Sequence, residues 1–192
     1  MTPFGVVLLA AGESRRMGKP KQLLPYRGMT LVEHATRTAL ASGAAEIVVV
    51  LGAHADEIRA TLAALPVIVV QNPEWQTGMG SSIAHGVAVL RPEIESAVIA
   101  LADQPKITSE HLHALAAYAD PVAASLYDGE LGAPCAFARS EFPRLLTLQG
   151  DQGARRILRG GEVRVQPVLF EPGLLDLDTP EAYASFINEE AT

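Results

Sequence analysis

Four short, nearly unbroken apolar runs set the fold class of this 192-residue chain. They are Val6–Leu9, Glu46–Leu51, Val67–Val70 and Ala97–Leu101, built almost wholly from valine, leucine, isoleucine and alanine. A strand that leaves one face in water alternates apolar with polar residues. A run without alternation is expected where both faces of a sheet are covered. Between the runs lie segments with helical spacing. Thr30-Leu31-Val32-Glu33 reads as a capping box that starts a helix ending near Gly43. Ile58, Leu62 and Leu65 share one face of His54–Leu65, and Gly80–Leu90 and Thr108–Tyr118 complete the set. Strands and helices alternating in this order specify an α/β fold with a mostly parallel sheet.

After residue 120 the pattern changes. Val122–Tyr127, Asp128-Gly129 and Gly132–Phe137 predict an antiparallel hairpin. Ser140–Leu148 and Gly153–Leu158 predict short helices, and Val163–Val168 a strand. Leu175–Asp178 reads as a short strand or turn, before a last helix capped by Thr179 with Pro180 in its first position. No repeat or linker divides the chain, so one domain over 1–192 is expected, with a regular half to about 120 and an irregular half from 121.

The net charge of −7 argues against non-specific nucleic-acid binding. No apolar run approaches the ~18 residues of a membrane span, and no signal-like segment precedes Val6. Cys135 is the single cysteine, which excludes an internal disulfide and fits a reducing compartment. It lies in an apolar stretch and reads as a small core residue. The expectation is a cytoplasmic protein with no nucleic-acid and no membrane partner.

In parallel α/β sheets, ligands bind beyond the C-terminal ends of the strands. The loop after the first strand carries Gly12, Ser14, Arg15, Arg16, Gly18, Lys19 and Lys21. Small residues let backbone N–H groups approach an anion, and the cations offset its charge. The Walker pattern fails here, because the Gly12 to Gly18-Lys19 spacing is one residue too long and Pro20 follows where a hydroxyl is required. The dinucleotide fingerprint is also absent. The loop therefore reads as an open polyphosphate cradle.

Three further loops should face the same crevice: Gly52-Ala53-His54, the segment from Gln71 to Ser82, and Ala102-Asp103-Gln104-Pro105. Asp103 suits a hard cation such as Mg²⁺, or else caps its turn. Asp176 and Asp178 share a face if extended; Asp178 equally suits the start of the last helix. Gly78, Gly80, Ser81 and Ser82 open a helix whose free N–H groups could hold a phosphate, or form an ordinary cap. Trp75 either stacks on a ring or closes a core edge. The histidines form no metal set: His111 and His113 point to different faces of one helix, His34 and His85 lie on other helices, and only His54 follows a strand.

Together these motifs resemble the MobA/MocA-like nucleotidyltransferases of molybdenum cofactor assembly, and within them the cytidylyltransferase branch. The resemblance rests on Leu9-Ala10-Ala11-Gly12 through Pro20-Lys21, Gly78–Ser82, Leu101–Pro105, Gly132-Ala133-Pro134 and Asp176–Pro180, in that order. The guanylyltransferase branch carries Leu-Ala-Gly-Gly and Asp-Lys-Gly in the opening loop. Ala11 and Pro20-Lys21 depart from that pattern, which points to CTP. Isoprenoid cytidylyltransferases share the opening but differ at Asp103-Gln104-Pro105.

The resemblance implies a three-layer Rossmann-like nucleotidyltransferase fold. It implies CMP transfer from CTP to a molybdopterin-type cofactor, with release of pyrophosphate. By the same resemblance Arg16, Lys21 and Asp103 act in catalysis, and Asp103 and Asp178 hold Mg²⁺, with Mn²⁺ as a substitute. Leu9, Ala10, Ala11, Gly12, Ser14, Arg15, Lys21 and Asn72 contact the nucleotide. Gly78, Gly80, Ser81, Ser82 and the hairpin after residue 120 face the acceptor. Alternatives are transfer to a sugar or alcohol phosphate, and a cofactor-delivery chaperone for a xanthine dehydrogenase-like molybdoenzyme.

Overall fold

The computed structural model describes residues 2–151, 153–170, 172 and 175–190. The strands are β1 Phe4–Ala10, β2 Pro25–Tyr26, β3 Met29–Thr30, β4 Glu46–Leu51, β5 Ile68–Gln71, β6 Ser96–Leu101, β7 Val122–Tyr127, β8 Glu130–Ala138 and β9 Val165–Leu169. The helices are α1 Leu31–Ala41, α2 Ala55–Leu62, α3 Met79–Ala88, α4 Ser109–Ala117, α5 Phe142–Leu146, α6 Arg155–Arg159 and α7 Pro180–Glu190.

One seven-stranded sheet has the order β5-β4-β1-β6-β8-β7-β9. Only β8 runs against the others, pairing antiparallel with β6 and β7. Along β1 the residues alternate between two cores. Phe4, Val6, Leu8 and Ala10 pack with Val32 and Ala39 of α1, Ile58 and Leu62 of α2, and Leu112 and Leu115 of α4. Val7 and Leu9 pack with Ile83 and Val87 of α3, Phe142 and Leu145 of α5, and Ile157 and Leu158 of α6. A strand that must satisfy both layers cannot alternate with polar residues, which is why its sequence reads as a continuous apolar run. The result is the expected three-layer α/β fold.

Local signals placed several boundaries. The Thr30 hydroxyl accepts the Glu33 N–H and the Thr108 hydroxyl accepts the His111 N–H, each capping a helix. β5 departs from expectation. Its sequence predicts a strand buried on both faces, but it is the edge of the sheet and Ile68 is 40% exposed. Among the described residues it pairs with β4 alone; burial there is decided by sheet order, which hydrophobicity does not encode. The segment 175–178 is irregular, neither strand nor helix. The small β2–β3 hairpin, turning at Arg27 (φ 48°) and Gly28 (φ 78°), has no apolar run to announce it.

A third, smaller core joins Met17, Leu24, Tyr26, Leu31, Leu177 and Phe186. Tyr26 and Phe186 rings lie 5.1 Å apart, and Glu190 accepts from Tyr26 Oη–H at 3.0 Å and from Arg27 at 2.6 Å. This docks α7 against the hairpin.

Candidate active site

Register brings the loops together. Leu9 aligns with both Val50 of β4 and Leu101 of β6, so the segments after β1, β4 and β6 leave the sheet along one edge. Between them lies a cavity of about 440 Å³. Its walls include Leu9 and Ala10 at the end of β1, Ala11, Gly12, Ser14, Arg15 and Lys21 from the loop that follows, and Trp75, Gly78, Ser82 and Asp103 from later segments. A Cβ on Gly12 would meet no atom within 4 Å; the absent side chain widens the opening rather than relieving a clash.

A second cavity, about 330 Å³, lies beside the first. Arg16, Gln104, Gly132, Ala133, Arg155, Asp176 and Asp178 contribute to it. Lys21, Met79, Leu101, Asp103 and Asp151 line both. The two neighbours Arg15 and Arg16 diverge, one to each cavity.

The shared wall carries the strongest electrostatics. Lys21 Nζ donates to Asp103 Oδ2 and, at 2.6 Å, to Asp178 Oδ1. Arg16 donates to the other Asp178 oxygen. Side-chain exposure is only 16% for Lys21 and 13% for Asp103, so solvent screens this pair weakly. Burial disfavours the Lys21 ammonium, but Asp103 and Asp178 outweigh it and raise its pKa above the ordinary lysine value. Burial likewise works against the Asp178 charge, yet Lys21 and Arg16 hold its pKa below the usual carboxylate value. Asp176 is raised, by burial first and then by Asp103 and Asp178. Its Oδ1 accepts from Gln104 Nε2 at 3.0 Å.

The metal expectation can be tested on this donor set. Among the described residues no group of three or more His, Cys, Asp or Glu side chains could hold a metal ion. Two carboxylates nevertheless converge on one cation, the Lys21 ammonium. Mg²⁺ in phosphate-transfer sites commonly takes one or two carboxylates and completes its shell with phosphate oxygens and water. Asp103 and Asp178 fit that mode.

Other expected residues take different places. Asn72 is fully buried and lines neither cavity. Its Nδ2 donates to the Ser81 and Ser82 hydroxyls at 2.9 and 3.0 Å, and its Oδ1 accepts the Glu74 N–H. It supports the wall from behind. Gly80 donates its N–H to Gly150 at 2.9 Å, and a Cβ there would come within 2.8 Å of Gln149 N. Gly78 (φ 122°) meets the Gly150 backbone still more closely. These glycines admit the 149–151 backbone, which carries Asp151 into the shared wall. Ser81 is buried and donates to carbonyls of Glu74 and Gly78. His54 caps α2, reaches Glu57 at 3.4 Å and lines neither cavity. Cys135 is buried in β8, where burial pushes its thiol up to about 12, so its thiol stays protonated near neutral pH.

Sequence reasoning missed Gln22, Asp151 and Arg155. Asp151 and Arg155 follow a glycine in the left-handed region, Gly150 (φ 68°). That turn is the signal that could have marked them.

Comparison with known proteins adds a second line. The MobA-like NTP transferase domain matches residues 6–168. PucB, the purine catabolism protein of Bacillus subtilis (strain 168), is 38% identical over 191 residues, with 92% of each chain covered. Nicotine blue oxidoreductase of Paenarthrobacter nicotinovorans is 38% identical over 166 residues, covering 80% of each. The structure of Rv0371c from Mycobacterium tuberculosis H37Rv in complex with manganese is 29% identical and superposes with a TM-score of 0.84, over 97% of this chain and 99% of that one.

Proposed function

This chain belongs to the MobA-like NTP transferase family, and from that premise we propose that it transfers CMP from CTP to a molybdopterin-type phosphate, releasing pyrophosphate. One observation carries the reading: Lys21 and Asp103 stand in the wall common to two adjacent cavities, and the Lys21 ammonium links Asp103 to Asp178 of the second. A group shared by two compartments is placed to act on a bond that changes partners between them.

In this reading the first cavity takes the nucleotide and belongs mainly to the half up to residue 120. The second takes the acceptor and draws on the half from 121. An acceptor phosphate oxygen attacks the α-phosphorus in line, and the bond to the oxygen bridging the α- and β-phosphorus breaks as pyrophosphate leaves. The acceptor is already ionised near neutral pH, so no side chain need remove a proton. Catalysis is then positioning and charge stabilisation. Lys21 and Arg16 offset the charge that builds on the phosphates. Asp103 and Asp178 would hold Mg²⁺ or Mn²⁺, which when bound supplies Lewis-acid stabilisation of the phosphoryl oxygens. Ala11 and Gly12 would read the base, with Leu9, Ala10, Ser14 and Arg15 completing that wall. Gly78 and Ser82, expected from the sequence to face the acceptor, line the first cavity and not the second, so in this reading they border the nucleotide.

The likeness to PucB, a purine catabolism protein, favours a second reading: delivery of the cofactor to a xanthine dehydrogenase-like molybdoenzyme. The deciding experiment is pyrophosphate release with each NTP, with and without a molybdopterin acceptor. Release with CTP only when acceptor is present supports transfer. Tight acceptor binding without release under any NTP favours delivery.

A further inference from the structure

Gln22 lies beneath the loop that follows β1 and is only 3% exposed. Its Nε2 donates to the carbonyls of Ala10 at 3.2 Å and Gly12 at 2.8 Å. Its Oε1 accepts from Ser14 Oγ–H at 3.3 Å, and that Oγ accepts the Lys21 N–H at 3.1 Å. The intervening carbonyl, Ala11, accepts the Ala53 N–H at 3.1 Å. Three successive carbonyls at the mouth of the first cavity are therefore engaged inside the protein. In a trans peptide the C=O of one residue and the N–H of the next point in opposite directions. Holding the Ala11 and Gly12 carbonyls inward turns the Gly12 and Glu13 N–H groups outward. Among the described residues those two N–H groups have no acceptor, and both residues line the cavity.

We infer that Gln22 is a positioning residue that, together with the Ala53 N–H, fixes this loop as a pair of donors, Gln22 orienting the Glu13 N–H and Ala53 the Gly12 N–H, and that this donor edge selects cytosine over uracil. The inference rests on the nucleotide reading above. Of the four bases, only cytosine presents two adjacent acceptors, N3 and O2, on its pairing edge. Uracil carries an N–H at position 3, which sets donor against donor. Adenine and guanine pair an acceptor with a donor or with C–H at the matching positions. The amide of Gln22, with both protons spent on carbonyls, keeps the loop from turning an acceptor outward.

The test measures CTP and UTP affinity by calorimetry with Mn²⁺ and without acceptor, for the full chain and for Gln22→Glu. The carboxylate keeps the size but cannot donate, so the Ala10 and Gly12 carbonyls are released. The CTP-to-UTP affinity ratio should fall by about tenfold, the worth of one hydrogen bond. Affinity for inorganic pyrophosphate, read by the cations, should stay within about twofold. Gln22→Met should act in the same direction, and Ser14→Ala, which removes the hydroxyl between Gln22 and the Lys21 N–H, carries the test if neither variant melts cooperatively. An unchanged ratio in a folded variant overturns the inference, as does a fall matched by equal loss of pyrophosphate affinity. A wild-type protein that binds no CTP refutes the nucleotide reading instead.

Discussion

Replacing Lys21 by methionine tests the shared wall most directly, because it removes the charge and keeps most of the volume. Asp103 and Asp178 both hydrogen-bond the same Lys21 nitrogen, so their nearest oxygens lie within about 5 Å of each other. Without the ammonium, two carboxylates at ~5 Å repel by about 3 kcal/mol at an effective dielectric of about 20. Arg16 still pairs with Asp178 from the exposed side, so the net cost to stability should be nearer ~2 kcal/mol. That is a fall of roughly 4 °C in melting temperature for a domain of this size. Catalysis should suffer more. Losing one preorganised cation at the phosphates costs on the order of a hundredfold or more in kcat. The same change removes a competitor for the carboxylates, so Mn²⁺ affinity without nucleotide should rise by about tenfold. Pyrophosphate release, thermal melts with and without Mn²⁺, and metal titration by calorimetry read the three effects. Turnover within threefold of wild type would refute the placement of Lys21 at the reacting phosphates. Weaker Mn²⁺ binding in the variant would refute the view that Lys21 occupies the cation's position.

Asp103→Asn should abolish metal-dependent turnover while nucleotide binding persists, which pyrophosphate release across a Mg²⁺ or Mn²⁺ titration checks; a fully active variant reduces Asp103 to a turn cap. Ala11→Gly should lower the CTP-to-GTP ratio in turnover, and an unchanged ratio would count against base reading by this loop. His111, buried against Phe170 at 4.5 Å and hydrogen-bonded to Ser125 at 2.7 Å, has its pKa lowered by burial to about 4. The unfolded chain binds this proton at a higher pH, near 6.5, so the folded state is fully favoured above about 6.5. That contribution is lost as pH falls toward 4, by about 3 kcal/mol in total. Urea midpoints followed from pH 7 to pH 4 should show this slope, and it should flatten in His111→Gln.

Much of this was legible in the residues. Val6–Leu9 and Glu46–Leu51 read as doubly covered strands because two packing layers demand it, and Thr30 and Thr108 announce helix starts through local hydrogen bonds. What a linear reading cannot reach is contact across the sheet. Lys21 and Asp178 are far apart in sequence and meet only because the strand order sets β6 beside β1 and the third core seats Leu177. The same limit hid the edge position of β5. Asn72 shows the opposite case. Its place in a long loop suggested ligand contact, but burial gives it hydrogen bonds that brace Ser81 and Ser82. Gln22 gave no signal at all, since one glutamine before Leu23-Leu24 looks like any surface polar residue.

The third core has a bearing on how this protein could be re-engineered. Met17 stands next to Arg16, Leu177 stands between Asp176 and Asp178, and Phe186 of α7 packs on the same cluster. The amino-terminal loop and the carboxy-terminal segment are thus one mechanical unit, although most of the chain separates them. A chimaera that imported only the loop from a relative with another nucleotide preference would mismatch Leu177 and Phe186, and would misalign Asp178 without touching it. Residues 11–31 and 175–190 should be exchanged as a set.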